Sequence, residues 1–354
     1  MLSRNAHEFL KFPLRTRRDS FMRLRLLLHA IFVMYLMLLF GPSGTGLAAS
    51  AQIVFYSDRD GDILRNKIYL MNEDGSNLHR VGTLPGNHAS PKLTPNNQKI
   101  VFEYSESYGS GSQIYIMSTD GSHAQILTTE PNGNHSPQVM PEGRIVYKQN
   151  TQEARTLYIM NQDGSGKTLF PIKATGTAAA DLQFLTIGPG GMIAFTNYVF
   201  ETYTTEHIYT MKIDGSQLQR LTNSIESSRF IALSPDGKKM VYANVGAGGM
   251  MLPAHHENDG LYIMNSDGTN TRRIVQVDFS QDLGPSGNNI GTIGSGRKTV
   301  GLLAPPSFSP DGTKLTYAVN IDGKYHVYIV NSDGTGLKQL TSSSRNDWAP
   351  SFSR

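Results

Sequence analysis

The sequence predicts an all-β fold: a six-bladed β-propeller of four-stranded antiparallel blades, closed by pairing of the C-terminal strand with the N-terminal segment. Three observations predict it. A nine-residue pattern recurs six times, at Ile68–Ser76, Ile114–Ser122, Leu157–Ser165, Ile208–Ser216, Leu261–Thr269 and Val327–Thr335, with starts 46, 43, 51, 53 and 66 residues apart. Each repeat contains four short strand-like runs, and a period of this size with four strands per unit is the signature of a propeller blade. One of the six units is divided between the two ends of the chain.

The fifth unit shows the parts in order. Phe230–Leu233 is an apolar run, strand A, and Ser234-Pro235-Asp236-Gly237 is a turn in which Pro presets φ and Gly closes it. Met240–Ala243 is strand B, Leu261–Met264 strand C, and Arg272–Val275 a shorter, more polar strand D. Between C and D, Asn265-Ser266-Asp267-Gly268-Thr269 reads as a tight hairpin with Gly at positive φ. Strands B and C carry continuous apolar runs, such as Ile100-Val101-Phe102 and Ile145-Val146-Tyr147, where a strand with one wet face would alternate. Blades stacked face to face require that. At the ends, Gln52–Ser57 is a B strand with no A before it, and Trp348–Ser353 is an A strand with no B after it. Joining them completes a blade and removes the free edges of an open array.

The first 51 residues have another character. Arg15, Arg17, Arg18, Arg23 and Arg25 precede the apolar run Leu26–Phe40, followed by Ala49-Ser50-Ala51. This reads as a secretory signal cut after Ala51, leaving residues 52–354 as the mature propeller, periplasmic or secreted. The 15-residue apolar run is shorter than the ~20 residues of a spanning helix. The alternative is an uncleaved anchor, which would make the protein a membrane-tethered scaffold. Thr16-Arg17-Arg18 before Phe21-Met22 faintly resembles a twin-arginine signal. Residues 1–51 hold seven of the 32 basic residues and two of the 29 acidic ones. The remainder has 25 against 27, a net charge of −2. No basic stripe is present, so a nucleic-acid partner is not expected. The chain has no Cys, which excludes disulfides, thiol catalysis and Cys-ligated zinc.

Ser-Pro-Asp-Gly at Ser234–Gly237 and Ser309–Gly312, together with Ile-Tyr-x-Met-Asn-x-Asp-Gly-Ser, resembles the WD40-like propeller repeat of the TolB family. The resemblance covers residues 52–354. Thr94-Pro95-Asn96-Asn97, Met140-Pro141-Glu142-Gly143 and Gly188-Pro189-Gly190-Gly191 depart from the turn consensus but still turn. TolB itself carries an α/β domain before its propeller, and only the signal precedes the first strand here, so contacts of that domain are not carried over. The expectation is an exported, non-enzymatic, monomeric propeller that binds a protein or cell-envelope ligand, and the resemblance implies a protein partner in the periplasm.

Alternation sorts the connections onto two faces. A–B and C–D turns share one face and are short. B–C and D–A connections share the other and vary: Glu103–Gln113, Lys148–Thr156, Asn197–His207, Asn244–Gly260 and Gln276–Pro306. The variable face and the channel mouth are therefore the expected ligand site. The residues just before the A-strand Pro should line that mouth: His88 before Pro91, His135 before Pro137, Asp347 and Trp348 before Pro350, and Arg229 at the corresponding place of the fifth unit. Such a ring could take a carboxylate, a sugar or a peptide terminus. The same residue types also cap turns entering strands.

The alternative function is a metal-dependent polysaccharide lyase or hydrolase using the channel-mouth histidines, by resemblance to propeller lyases acting on acidic sugars. His255-His256-Glu257-Asn258-Asp259 is a second cluster on the loop face, without metal-motif spacing. Asp58-Arg59-Asp60-Gly61-Asp62 resembles part of a calcium loop, but Ile63 occupies the required Gly position. Gly291–Lys298 lacks the strand-to-helix context of a phosphate loop. No Gly-x-Ser-x-Gly occurs. No cofactor is expected.

Overall fold

A computed structural model describes residues 51–62, 65–107, 110–150, 155–170, 184–200, 204–224, 226–245, 256–277, 304–321 and 323–353. Residues 1–50, most of the segment expected to be a signal, most of the 276–306 connection with its Gly291–Lys298 stretch, and His255 lie outside the described residues.

Six four-stranded antiparallel sheets form the six blades. In five of them the strands follow chain order from A to D. The blade completed by both ends, blade 1, runs Asp347–Phe352, Gln52–Ser57, Lys67–Asn72 and His79–Val81. Its A and B strands are registered at Ile53 to Phe352, Val54 to Ser351, Tyr56 to Trp348 and Ser57 to Asp347. The predicted closure is therefore present. It is reinforced outside the ladder, where the Asp58 carboxylate accepts from the backbone N–H and side-chain amide of Asn346 at 2.8 and 3.1 Å.

The core is divided into six apolar clusters, one between each pair of successive blades. The cluster at the closure packs Ile53, Phe55, Met71 and Phe352 of blade 1 against Val327 and Ile329 of blade 6. This explains the continuous apolar runs: both faces of the B and C strands meet another sheet. The outer strands are two to five residues long and largely exposed, which leaves blunt edges.

The recurring hairpin is built as its sequence suggests. In Asn72–Ser76 the Gly75 N–H donates to the Asn72 carbonyl at 2.9 Å, and the Ser76 N–H donates to the Asp74 carboxylate at 2.8 Å. Gly75 has φ +88°, a conformation that costs other residues strain. The same bond recurs at Asp120, Asp163, Asp214, Asp267 and Asp333, where the Ser or Thr hydroxyl, and then its N–H, holds each carboxyl below the usual range.

Candidate functional site

Four inner strands share one irregularity. Ser90, Ser136, Phe230 and Ala349 take φ of 50°, 54°, 56° and 47°, and each sits where the A–B register slips. These are β-bulges with a non-glycine residue in the left-handed region. The residue before the bulge and the one before that point to opposite sides of the strand.

This alternation divides the predicted mouth residues into two rows. Ala89, His135, Arg229 and Trp348 precede the bulge directly and are half-buried. His88, Asn134, Ser228 and Asp347 lie one residue earlier and are buried, at 1%, 0%, 1% and 0% exposure. The structure thus leaves His135, Arg229 and Trp348 half-buried and places His88 and Asp347 in the interior. His88 stands three residues before Pro91, whereas His135 stands two before Pro137. One residue of offset reverses the side chain.

His88 packs against Phe102 and Tyr104, with centroids 5.2 and 5.5 Å away. Neither ring nitrogen makes a well-formed hydrogen bond. Burial, and then the positive charge of Lys67, push its pKa down to about 3, opposed only weakly by the Leu84 carbonyl. It is a neutral core imidazole. Asp347 accepts two bonds of 2.7 Å from the Arg59 guanidinium, which also stacks over Phe55 and Tyr69. It ties the last strand to the connection after the first.

His135 Nδ1 lies 2.7 Å from Ser112 Oγ and 3.4 Å from Glu103 Oε2, while Nε2 accepts from the Asn150 amide at 3.0 Å. Nδ1 therefore carries the proton and donates to Ser112, whose hydroxyl is in turn directed to the Asn134 carbonyl at 3.1 Å. A nucleophilic serine needs a histidine nitrogen that accepts its proton, and here the imidazole donates to it. Glu103 also accepts from the Ser136 bulge amide at 2.8 Å. These groups border a cavity of about 200 Å³ with Asn87 and Ser105. Arg229 pairs with the buried Glu206 carboxylate at 2.6 Å. Trp348 leans on Tyr56 at 5.3 Å, and its indole N–H finds no acceptor among the described residues.

The remaining sequence candidates resolve differently. His256 begins a single 3-10 turn, His256–Asn258. The adjoining Asn258 amide donates to Glu226 at 2.8 Å, and Asp259 is buried. In Asp58–Asp62, Asp60 is taken by the Tyr69 hydroxyl and Arg80 at 2.5 and 2.6 Å, and the Gly61 N–H closes a turn onto the Asp58 carbonyl. Among the described residues no group of three or more His, Asp or Glu side chains is arranged to hold a metal.

Two cavities follow the ring axis. One, of about 180 Å³, is lined by Tyr56, Ser90, Lys92, Ser136, Gln138 and Lys148 with apolar neighbours. The other, of about 270 Å³, receives residues from the inner strands of all six blades and ends among Pro95, Pro141, Pro189 and Pro235 of the A–B turns. Sequence reading missed Glu103 and Lys148. The available signal was a charge closing an otherwise apolar B strand, in Ile100-Val101-Phe102-Glu103 and Ile145-Val146-Tyr147-Lys148.

The family described as PD40, TolB beta propeller domain, matches residues 45–180. A TolB homolog protein of Chlorobium luteolum is 29% identical over 176 residues, 49% of this chain and 33% of that relative's length. Of solved structures, TolB from Acinetobacter baumannii superposes with a TM-score of 0.66 at 18% identity, covering 86% of this chain and 66% of that one. Hydrazine synthase of Kuenenia stuttgartiensis gives 0.60 at 14% identity, covering 86% and 47%. At such identities the likeness is one of fold, and one fold serves unrelated chemistries.

Proposed function

Taking the chain as a TolB-like β-propeller protein, we propose that it is an exported, non-enzymatic binding module for a protein partner in the cell envelope, seated on the face of the B–C and D–A connections. The observation that supports this reading is the row of half-buried side chains that directly precede the bulges of the inner strands. Trp348, His135 and Arg229 are each fixed from behind, by Tyr56, by Ser112 and Asn150, and by Glu206. An aromatic, an imidazole and a guanidinium held rigidly lose little entropy on binding, and Trp and Arg are frequent anchors of protein interfaces. The donor role of His135 argues against nucleophilic catalysis at this mouth.

The test is site-specific photo-crosslinking in cells expressing the full chain. A photoreactive residue at His135, Arg229 or Trp348 is expected to capture one defined envelope protein. The same residue at Asp214, in a hairpin of the opposite face, is expected to capture none. Capture from Asp214 alone, or equally from both faces, would overturn the assignment.

A further inference from the structure

We propose that the middle of the central channel is an anion site that receives an acidic side chain of a bound peptide. This deepens the proposed function and rests on it. The mid-channel cavity is lined by two lysines from adjacent blades, Lys92 on the inner strand of blade 2 and Lys148 on the second strand of blade 3. Around them stand the hydroxyls of Tyr56, Ser90 and Ser136 and the amide of Gln138. Burial, and then the nearby Glu103 charge, raise the Tyr56 phenol above its usual range, so it remains a donor. Among the described residues, no carboxylate lines either axial cavity.

The carboxylates nearest the mouth are already committed. Glu103 accepts from the Ser136 amide, Glu206 pairs with Arg229, and Asp347 with Arg59. The axial cavity is therefore lined by two lysines and, among the described residues, by no carboxylate. Both lysines also keep an interaction within the protein. The bulges matter here. Ser90, Ser136 and Ala349, the left-handed residues of three blades, all line this cavity, and the one amide whose partner is resolved at a bulge, that of Ser136, holds a carboxylate. A narrow space among low-dielectric walls focuses the field of two cations onto its axis. With about 180 Å³ available, against the ~30 Å³ that a water molecule occupies in the liquid, a carboxylate side chain fits.

The experiment titrates the full chain with three probes: the capped peptide N-acetyl-triglutamate amide, its triglutamine counterpart, and inorganic phosphate. Triglutamate is expected to bind, and to weaken as ionic strength rises. Lys92→Met and Lys148→Met should each raise its Kd by about tenfold or more. Lys92→Arg and Lys148→Arg, which keep the charge, should retain binding and cover the case in which a Met variant does not fold. Lys99→Met, on the exposed end of a B strand, should change nothing. Equal binding of triglutamine, lysine-dependent binding of phosphate alone, or an unchanged Kd in both folded Met variants would each overturn the proposal. Crosslinks from Trp348 that persist while triglutamate fails to bind would sink this inference and leave the protein-binding reading standing.

Discussion

Phe352→Ala tests whether the last strand closes the ring. Phe352 is 1% exposed, sits opposite Ile53 in the A–B ladder of blade 1, and belongs to the cluster that joins blade 1 to blade 6. Truncating a fully buried Phe costs about 3–5 kcal/mol, from lost transfer energy and the cavity left behind. At roughly 2–4 °C per kcal/mol for a domain of this class, the melting temperature should fall by about 6–20 °C. The control is Leu169→Ala on an outer strand, 60% exposed, expected within about 0.5 kcal/mol of wild type. Urea titration with an unchanged slope and a lower midpoint would report the loss as stability. Removing residues 347–354 goes further. It deletes the inner strand of blade 1, the two Arg59 bonds and the Phe352 packing, a combined loss on the scale of the ~5–15 kcal/mol that holds a typical domain. That truncation should show no cooperative transition. A wild-type melting curve for it, or Phe352→Ala indistinguishable from Leu169→Ala, would refute the closure argument.

Three further outcomes are expected. Asp347→Asn leaves the largely buried Arg59 cation without its charge partner and should cost about 3 kcal/mol, whereas Arg80→Met, which breaks a half-exposed pair with Asp60, should cost about 1 or less; equal midpoints in urea would contradict this. His88 has a folded pKa of about 3 against an ordinary 6.5, so below pH 6.5 the unfolded chain binds the proton that the folded chain refuses. Stability from this group is complete above pH 6.5 and falls by about 3 kcal/mol between pH 7 and pH 4; His88→Phe should flatten that part of the pH profile, and an unaltered slope would argue against a neutral buried imidazole. Gly121→Ala would place a Cβ 2.3 Å from the Gly82 nitrogen at φ +82°, whereas Gly190→Ala at φ +67° meets nothing within 4 Å. The second should cost about 1–2 kcal/mol of backbone strain and the first clearly more; the reverse order in thermal melts would count against the hairpin geometry.

The fold was legible because each blade repeats the same instructions. Pro and Gly mark the A–B turn, Asp-Gly marks the hairpin, and apolar runs on B and C announce sheets covered on both faces. Closure was legible because an A strand and a B strand stood orphaned at opposite ends. Even the polarity of the outer strands could be read, since Arg220-Leu221-Thr222 alternates as a half-wet edge does. The site was legible only by region. Topology placed five residues near one mouth, but a topological argument locates a backbone and not the side of a strand. The Asn-His pairs at Asn87-His88 and Asn134-His135 look equivalent in sequence, yet they differ by one residue in their distance from the following Pro.

That offset is decisive because the bulge fixes the frame. In blades 1, 2 and 3 the residue before Pro takes positive φ, and in blade 5 Phe230 does so before Ile231, with no Pro to announce it. Counting back from this residue rather than from the start of the polar run separates His135, Arg229 and Trp348, which are half-buried, from His88 and Asp347, whose side chains are buried against their own blades. Four left-handed non-glycine residues at about 1–3 kcal/mol each are a substantial standing cost for a scaffold. Packing alone does not require it, since a regular strand would fill the same ladder. The bulge instead turns the inner strand so that one row of side chains meets the mouth and the next residue lines the axis, where Ser90, Ser136 and Ala349 are found. Strain repeated at the same place in successive blades, next to the two lysines of the channel, is where the fold gives up stability to shape an axial surface.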